Sequence, residues 1–307
     1  MKWHWIWALA LVGLSGCETA PTPAPTVRAA QAAPARPAVA ADPAGATSVW
    51  PAEAPHIYAR SAILIDARTG RTLYQKFADT KTQVASTQKL VTALVVIDRG
   101  NLSQPVTIQR ADTLVEPTKL GVRAGQTYTR MNLLSAMLIK SENDAAAALA
   151  RDNAGSIPSF AVLMDRKARE VGAYNTHFVN PHGLPGYQYS TARDMAKVAF
   201  RAYREPLLRN IVCTPTYSFT FADGRKRTLE NTNKLLKRST VYNGMKTGFT
   251  NAAGRCLISS ASANGRDVIL VQFGSKTTYI FDDAERLMQW GLRQGSSPIS
   301  DLYATNY

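Results

Sequence analysis

The chain has 307 residues, with 36 Lys and Arg against 22 Asp and Glu, a formal charge of +14 and a pI near 9.8. Apolar residues make up 45 %, an ordinary globular content from which a sizeable core can form. The basic balance points to anionic surroundings such as wall polymer, phospholipid heads or lipopolysaccharide, and no nucleic acid is expected, because no nucleic-acid motif or dense basic run occurs.

The N-terminus reads "MKWHWIWALALVGLSGC". Lys2 is a short positive region, and the apolar stretch from Trp3 to Leu14 is too short for a stable span but fits a secretory signal. Leu14-Ser15-Gly16-Cys17 resembles a bacterial lipoprotein cleavage box. The resemblance implies removal of residues 1–16 and lipid attachment at Cys17, where several acyl chains anchor stably. The protein is then exported and faces the periplasm or cell wall, held to the membrane by its N-terminal lipid. Glu18 at the next position favours the outer membrane in a Gram-negative cell. Residues 17–55 are rich in Ala, Pro and Thr and read as a disordered tether. At about 3 Å per residue its reach is on the order of 100 Å.

A folded domain is expected over 56–295, with a short tail at 296–307. "SAILIDARTGRTLYQKF" is two strand-like runs around a hairpin signal. Ser86 to Ile97 is helical by spacing and stops at Arg99-Gly100. Three more helices follow in "TRMNLLSAMLIK", "NDAAAALARD" and "SIPSFAVLMDRKAREVGA", the last opened by Ser and Pro. A Pro/Gly loop, "YNTHFVNPHGLPGYQY", leads to a helix with Ser190 as expected N-cap. "RCLISSAS" and "DVILVQFG" read as strands joined by "ANGR", and Thr278 to Gln294 as a closing helix with Trp290 on its apolar face. Strands at both ends with helices between them predict an antiparallel sheet pairing the two ends, plus a mostly helical insertion. Cys213 and Cys256 are either two small buried hydrophobes or, in an oxidising compartment, a disulfide. His56 and Glu170 read as surface. His177 and His182 share one loop without a third ligand at metal spacing, so no metal is expected.

Three short motifs stand in order. Ser86-x-x-Lys89 alone is weak, since about one match is expected by chance in a chain this long. Its context at a helix start puts both side chains on one face, where free N–H groups favour negative charge and a buried lysine loses its proton more easily. Ser141-Glu142-Asn143 lies between two helical runs, and Lys246-Thr247-Gly248 follows later. Singly, these can be a helix cap with a solvated lysine, an interhelical turn and a strand end.

Together, at intervals of 55 and 105 residues, they resemble the penicillin-binding serine D-alanyl-D-alanine carboxypeptidases and endopeptidases, the low-molecular-mass penicillin-binding proteins. "FVNPHGL…STARDMA", "NTNKLL" and "KTGFTNAAG" match as well, and the resemblance spans about residues 57–294. It implies an α/β (α+β) fold of β-lactamase/transpeptidase type: an antiparallel sheet flanked by helices, a mostly helical subdomain, and the active site between them. It implies Ser86 as nucleophile, Lys89 as general base and Ser141 as proton relay. Asn143, Lys246, Thr247 and Gly248 would bind substrate, and backbone N–H groups of Ser86 and Phe249 would form the oxyanion hole. The expected partners are peptidoglycan stem peptides, with β-lactams as covalent inhibitors, and no cofactor is required.

Three alternatives stay open. Class A β-lactamases share the motifs but need a glutamate on a later loop, and "FVNPHGLPGYQY" has no carboxylate, so a slowly deacylating enzyme is expected. A non-catalytic wall-binding lipoprotein would keep the fold and lose the chemistry. Among peptidases, a carboxypeptidase trims the terminal D-Ala, whereas an endopeptidase cuts the D-Ala–diaminoacid cross-link. "KTGFTNAAGRC", with only about a dozen residues after the last helix, looks closer to the endopeptidase branch.

Overall fold

Two apolar segments from opposite ends of the chain find each other in one sheet. The structure, a computed structural model, describes residues 53–294. The signal segment, Cys17, the tether up to residue 52 and the tail from residue 295 lie outside the described residues. The chain opens with β1 (Ser61–Asp66) and β2 (Thr72–Lys76), then α1 (Lys89–Arg99), β3 (Pro105–Thr107) and β4 (Thr127–Thr129). The helices α2 (Arg130–Ile139), α3 (Asn143–Ala154), α4 (Ile157–Glu170), α5 (Ala192–Tyr203) and α6 (Pro206–Val212) follow. A hairpin of β5 (Thr216–Thr220) and β6 (Lys226–Glu230) precedes β7 (Tyr242–Thr250), β8 (Gly254–Ala263), β9 (Arg266–Ser275) and α7 (Ile280–Arg293). The main sheet has the order β2-β1-β9-β8-β7, antiparallel throughout, with Leu64 opposite Leu270 and Lys246 opposite Ile258.

The sheet is covered on both faces, so β8 and β9 carry long apolar runs. The two-residue period sends Ile63, Ile258, Ile269, Val271 and Phe273 into a large core with the helical region. Ala62, Leu64, Leu257, Val268 and Leu270 face a smaller core under α7, with Leu287, Met288 and Trp290. Each fully buried Leu or Ile on either side contributes about 1.5–3 kcal/mol. The result is three layers, α7 on the sheet and the sheet on the helical region. Among the described residues no helix is long and apolar enough to cross a membrane.

The predicted elements are present, with corrections at their edges. The helix expected from Ser86 begins as a 3-10 turn, Ala85–Gln88, and becomes α-helical at Lys89. Ala85 there has φ +49°, so the chain enters through a left-handed residue rather than a standard cap. The N-cap of α5 is Thr191, which accepts from Asp194 N at 3.0 Å, not Ser190. Ser190 is bridged through its backbone to Thr82, which keeps it extended and moves the cap one residue on. Cys213 is exposed, Cys256 is buried and both are free, so no disulfide joins them. Trp290 is buried, and His56 and Glu170 are exposed.

Candidate active site

Ser86 is presented by the 3-10 turn, half-buried, with Lys89 one turn further at the start of α1. The lysine is 0 % exposed. Its Nζ lies 2.9 Å from Ser86 Oγ, 2.6 Å from Asn143 Oδ1, 2.9 Å from the His182 carbonyl and 3.4 Å from Ser141 Oγ. No carboxylate shares this set. Burial, with the neighbouring Lys246 ammonium as second cause, holds the Lys89 pKa well below that of an ordinary lysine. Glu142 and Asp144 act in the opposite direction and do not win. A neutral amine at this place has a lone pair for the hydroxyl proton of Ser86, which meanwhile donates to the His182 carbonyl at 3.1 Å.

The connection between α2 and α3 supplies the second group. Ser141 has φ +72°, a left-handed conformation costing about 1–2 kcal/mol for a residue with a Cβ. The neighbouring backbone is pinned: Asn143 N donates to Thr118 O at 2.8 Å, and Asp144 accepts from Leu120 N and Gly121 N. The strained turn therefore holds Ser141 Oγ and Asn143 Oδ1 at Lys89 in one geometry.

Strand β7 supplies the third. Lys246 is 1 % exposed, its Nζ donates to Thr247 O at 3.0 Å, and burial lowers its pKa to about 7. Thr247 Oγ1 donates to Thr232 Oγ1 at 2.6 Å. Gly248 lies against the serine turn: a Cβ there would sit 2.8 Å from Ser86 N and 3.0 Å from Ala85 Cβ. The missing side chain thus serves the approach of β7 to the serine turn. Phe249 follows, half exposed at the rim, with the Arg255 guanidinium 4.4 Å from its ring centre. A cleft of about 690 Å³ opens between Ser86, Ser141 and Thr247, and Lys140, Lys234, Lys237 and Arg255 line it. That basic lining suits a ligand ending in a carboxylate.

Two features were not read from the sequence. The loop carrying His182 reaches the reactive pair through its backbone. Asn180 Oδ1 accepts from Gly183 N at 2.8 Å, Gln88 Nε2 donates to Asn180 O at 2.6 Å, and Thr92 Oγ1 donates to Pro181 O at 2.6 Å. The Asn-Pro-His-Gly run is itself a turn signal, but nothing in sequence says which carbonyl meets Lys89. The His182 ring is buried, and burial holds its pKa down at about 3, so it stays neutral. His177 Nδ1 pairs with Asp165 Oδ2 at 2.7 Å. Among the described residues no group of three metal-ligating side chains occurs.

The second feature is Glu142. It is 2 % exposed, Oε1 lies 3.3 Å from Arg227 Nη2, and Oε2 has no partner. Burial, and then Asp144, push its pKa to about 7. Its charge raises the pKa of both Lys89 and Lys246. Glu142→Gln should therefore move the acid limb of any Lys89-dependent reaction to lower pH, read from acylation rates across pH; an unmoved limb or an upward shift defeats the expectation. Between about pH 4.5 and 7 the folded chain also keeps a proton on Glu142 that the unfolded chain, with an ordinary carboxyl pKa of 4.5, has released. Stability from this group is complete below about pH 4.5 and is lost as pH rises toward 7, and the substitution should remove that fall.

A family model described as D-alanyl-D-alanine carboxypeptidase matches residues 48–277. The chain is 35 % identical over 275 residues to a D-alanyl-D-alanine endopeptidase of Escherichia coli K12, covering 84 % of each. The structure of a D-alanyl-D-alanine carboxypeptidase from Mycobacterium tuberculosis H37Rv superposes with a TM-score of 0.79 at 30 % identity, over 82 % of this chain and 98 % of that one. The Streptomyces K15 DD-transpeptidase gives a TM-score of 0.75 at 32 % identity, over 79 % and 100 %. With three quarters of its length matched by the family model and the same fold in the solved relatives, the chain belongs to the D-alanyl-D-alanine carboxypeptidase family.

Proposed function

We propose that the chain is a serine DD-peptidase that cleaves the D-Ala–D-Ala bond of peptidoglycan stem peptides through an acyl-enzyme and is trapped there by penicillins. The observation that carries the reading is Lys89: a buried amine 2.9 Å from Ser86 Oγ, held deprotonation-prone by its surroundings. Ser86 Oγ attacks the carbonyl carbon while its proton passes to Lys89 Nζ. The tetrahedral oxygen is received by the backbone N–H groups of Ser86 and Phe249. The C–N bond breaks, and the proton held at Lys89 reaches the leaving amine through Ser141 Oγ, 3.4 Å away. Water then attacks the ester, Lys89 takes its proton, and Ser86 is restored. Asn143 holds Lys89, and Lys246 with Thr247 meets the terminal carboxylate beside the basic lining.

The loop that would carry a water-activating glutamate in class A β-lactamases has no carboxylate between Phe178 and Tyr189, which supports slow deacylation. Two finer readings belong to the same proposal. Similarity to an endopeptidase supports cleavage of D-Ala–diaminoacid cross-links by the same residues. The segment before Cys17 supports a lipid-anchored, periplasm- or wall-facing protein, in the outer membrane if the cell is Gram-negative. A non-catalytic wall-binding role is not favoured, since every motif side chain is present and assembled.

One set of measurements tests these points. Protein recovered from membranes is treated with a fluorescent penicillin and examined by intact mass and peptide mapping. The expected result is an N-terminus at acylated Cys17 and one stable adduct on the peptide holding Ser86; a stem pentapeptide and a cross-linked dimer are then compared as substrates. No adduct, or rapid and complete penicillin hydrolysis, overturns the acyl-enzyme reading, and an unmodified Cys17 overturns the anchor.

A further inference from the structure

The end of the sheet away from the catalytic cleft holds a second cleft, of about 610 Å³. Lys246 pairs with Ile258 on β8, and the cleft is reached at the β8–β9 turn beyond Ala263. At about 3.3 Å per residue, that is roughly 17 Å further along the strand. Three connections converge there: the β1–β2 turn, the β8–β9 turn and the corner between α5 and α6.

Each connection brings guanidinium groups. Arg68 and Arg71 come from the first, Arg266 from the second, and Arg204 and Arg209 from the third. Arg68, Arg204, Arg209 and Arg266 are exposed and, among the described residues, form no ion pair. The two carboxylates in the lining accept hydrogen bonds from neutral donors beside them. Asp66 accepts from Arg68 N, Thr69 N and Thr69 Oγ1 inside its own turn. Asp267 accepts from Tyr203 Oη at 2.9 Å and Ser262 Oγ at 2.5 Å. The Tyr203 hydroxyl, pushed up to about 12 by burial and by Asp267, stays a donor there. Arg209 lies 4.5 Å from the centre of the Tyr203 ring, which limits its rotamers. The walls are thus fixed by hydrogen bonds while the exposed heads of Arg68, Arg204, Arg209 and Arg266 face the cleft, and the five guanidiniums of the lining against its two carboxylates give a formal net +3.

We propose that this cleft is a second binding site, for a ligand presenting two or more clustered phosphate groups. A volume of about 610 Å³ is that of a small-molecule site rather than of a single ion. Guanidinium forks match phosphate oxygens in pairs, and two phosphates bearing about −1 to −2 each balance the cleft within its volume. A soluble phosphorylated compound and a phosphate-bearing lipid headgroup share this chemistry. Either would hold the domain at its far end and leave the catalytic cleft open.

The test uses the full chain, parent and variants having the same N-terminus, so that contributions from that segment cancel. Sodium tripolyphosphate is titrated calorimetrically at low ionic strength, and vesicles of phosphatidylcholine with and without phosphatidic acid form the second arm. The cleft variant is Arg204→Gln, Arg209→Gln and Arg266→Gln together; the control removes three exposed charges elsewhere, Arg99→Gln, Lys226→Gln and Lys276→Gln. One-to-one binding by the parent, at least about tenfold weaker in the cleft variant and unchanged in the control, supports the site. A loss seen also with phosphatidic acid vesicles assigns the ligand to a membrane, and a loss confined to tripolyphosphate assigns it to solution. Equal losses in both variants, or no binding by the parent, overturn it. Fluorescent penicillin labelling verifies folding throughout, and Arg266→Gln alone, expected to weaken binding partially, decides the matter if the triple variant labels poorly.

Discussion

Ser86→Ala and Lys89→Met should each remove covalent labelling by penicillin while leaving the protein folded. Without Oγ there is no bond to form, so Ser86→Ala gives no adduct at any time. Lys89→Met keeps the hydroxyl but removes the base, and positioned general bases contribute about 10²–10⁴-fold to such steps. The fold should survive, because the two effects on stability oppose each other. Methionine fills a similar volume and abolishes the cost of a desolvated amine in a site that is 0 % exposed. Asn143 Oδ1 loses its donor, at about 1–3 kcal/mol for a buried group left unsatisfied, whereas the His182 carbonyl keeps the Ser86 hydroxyl. Acylation of Lys89→Met within tenfold of the parent would sink Lys89 as base. Lys246 is the weaker candidate, because its Nζ is spent on Thr247 O.

What the sequence made legible follows from which signals are local. The β1–β2 hairpin, α2 to α5 and the strands β8 and β9 have strong periodicity or clear caps, and all were expected. Of strand β7 the sequence suggests only a strand end at Lys246-Thr247-Gly248, because "YNGMKTGFT" has no alternation: Gly248 and the buried lysine serve the site rather than the core. The β5–β6 hairpin is not legible because Phe219 and Leu229 are the only buried residues of its two strands, and its charged remainder reads as loop. The motif residues were found because their side chains do the work. The His182 carbonyl was invisible, since a backbone oxygen carries no residue identity and its position depends on contacts between segments about 90 residues apart. Glu142 stands inside a motif, but only burial reveals a carboxylate with an unpartnered oxygen whose charge acts on two lysines.

Gly183→Ala should cripple acylation although residue 183 contributes no side chain to it. Gly183 has φ +87°, and a Cβ would lie 2.2 Å from Ala85 O, 2.3 Å from Ala85 C and 2.7 Å from Ser86 N. All three are backbone atoms, so no side chain can swing away. Either the Asn180–Leu184 turn lifts, taking the His182 carbonyl from Lys89 and Ser86, or the 3-10 turn shifts, taking Ser86 itself. The first is opposed by Asn180, Gln88 and Gln188, which tie the turn down at 2.6 to 3.1 Å. The second is opposed by Gly248, packed against the same turn. A displacement of about 1 Å in a reacting group can cost about 10²-fold, and that is the loss expected in the second-order rate of penicillin acylation. Left-handed backbone adds about 1–2 kcal/mol, so melting should also fall by a few degrees. Gly224→Ala separates the two causes. Gly224 has φ +82° but nothing within 4 Å of its would-be Cβ, in the β5–β6 turn. It should lower the melting temperature comparably through backbone strain and leave acylation intact. If Gly183→Ala labels like Gly224→Ala, the contact between this loop and the serine turn is only structural, and the His182 carbonyl has no part in setting the reactive geometry.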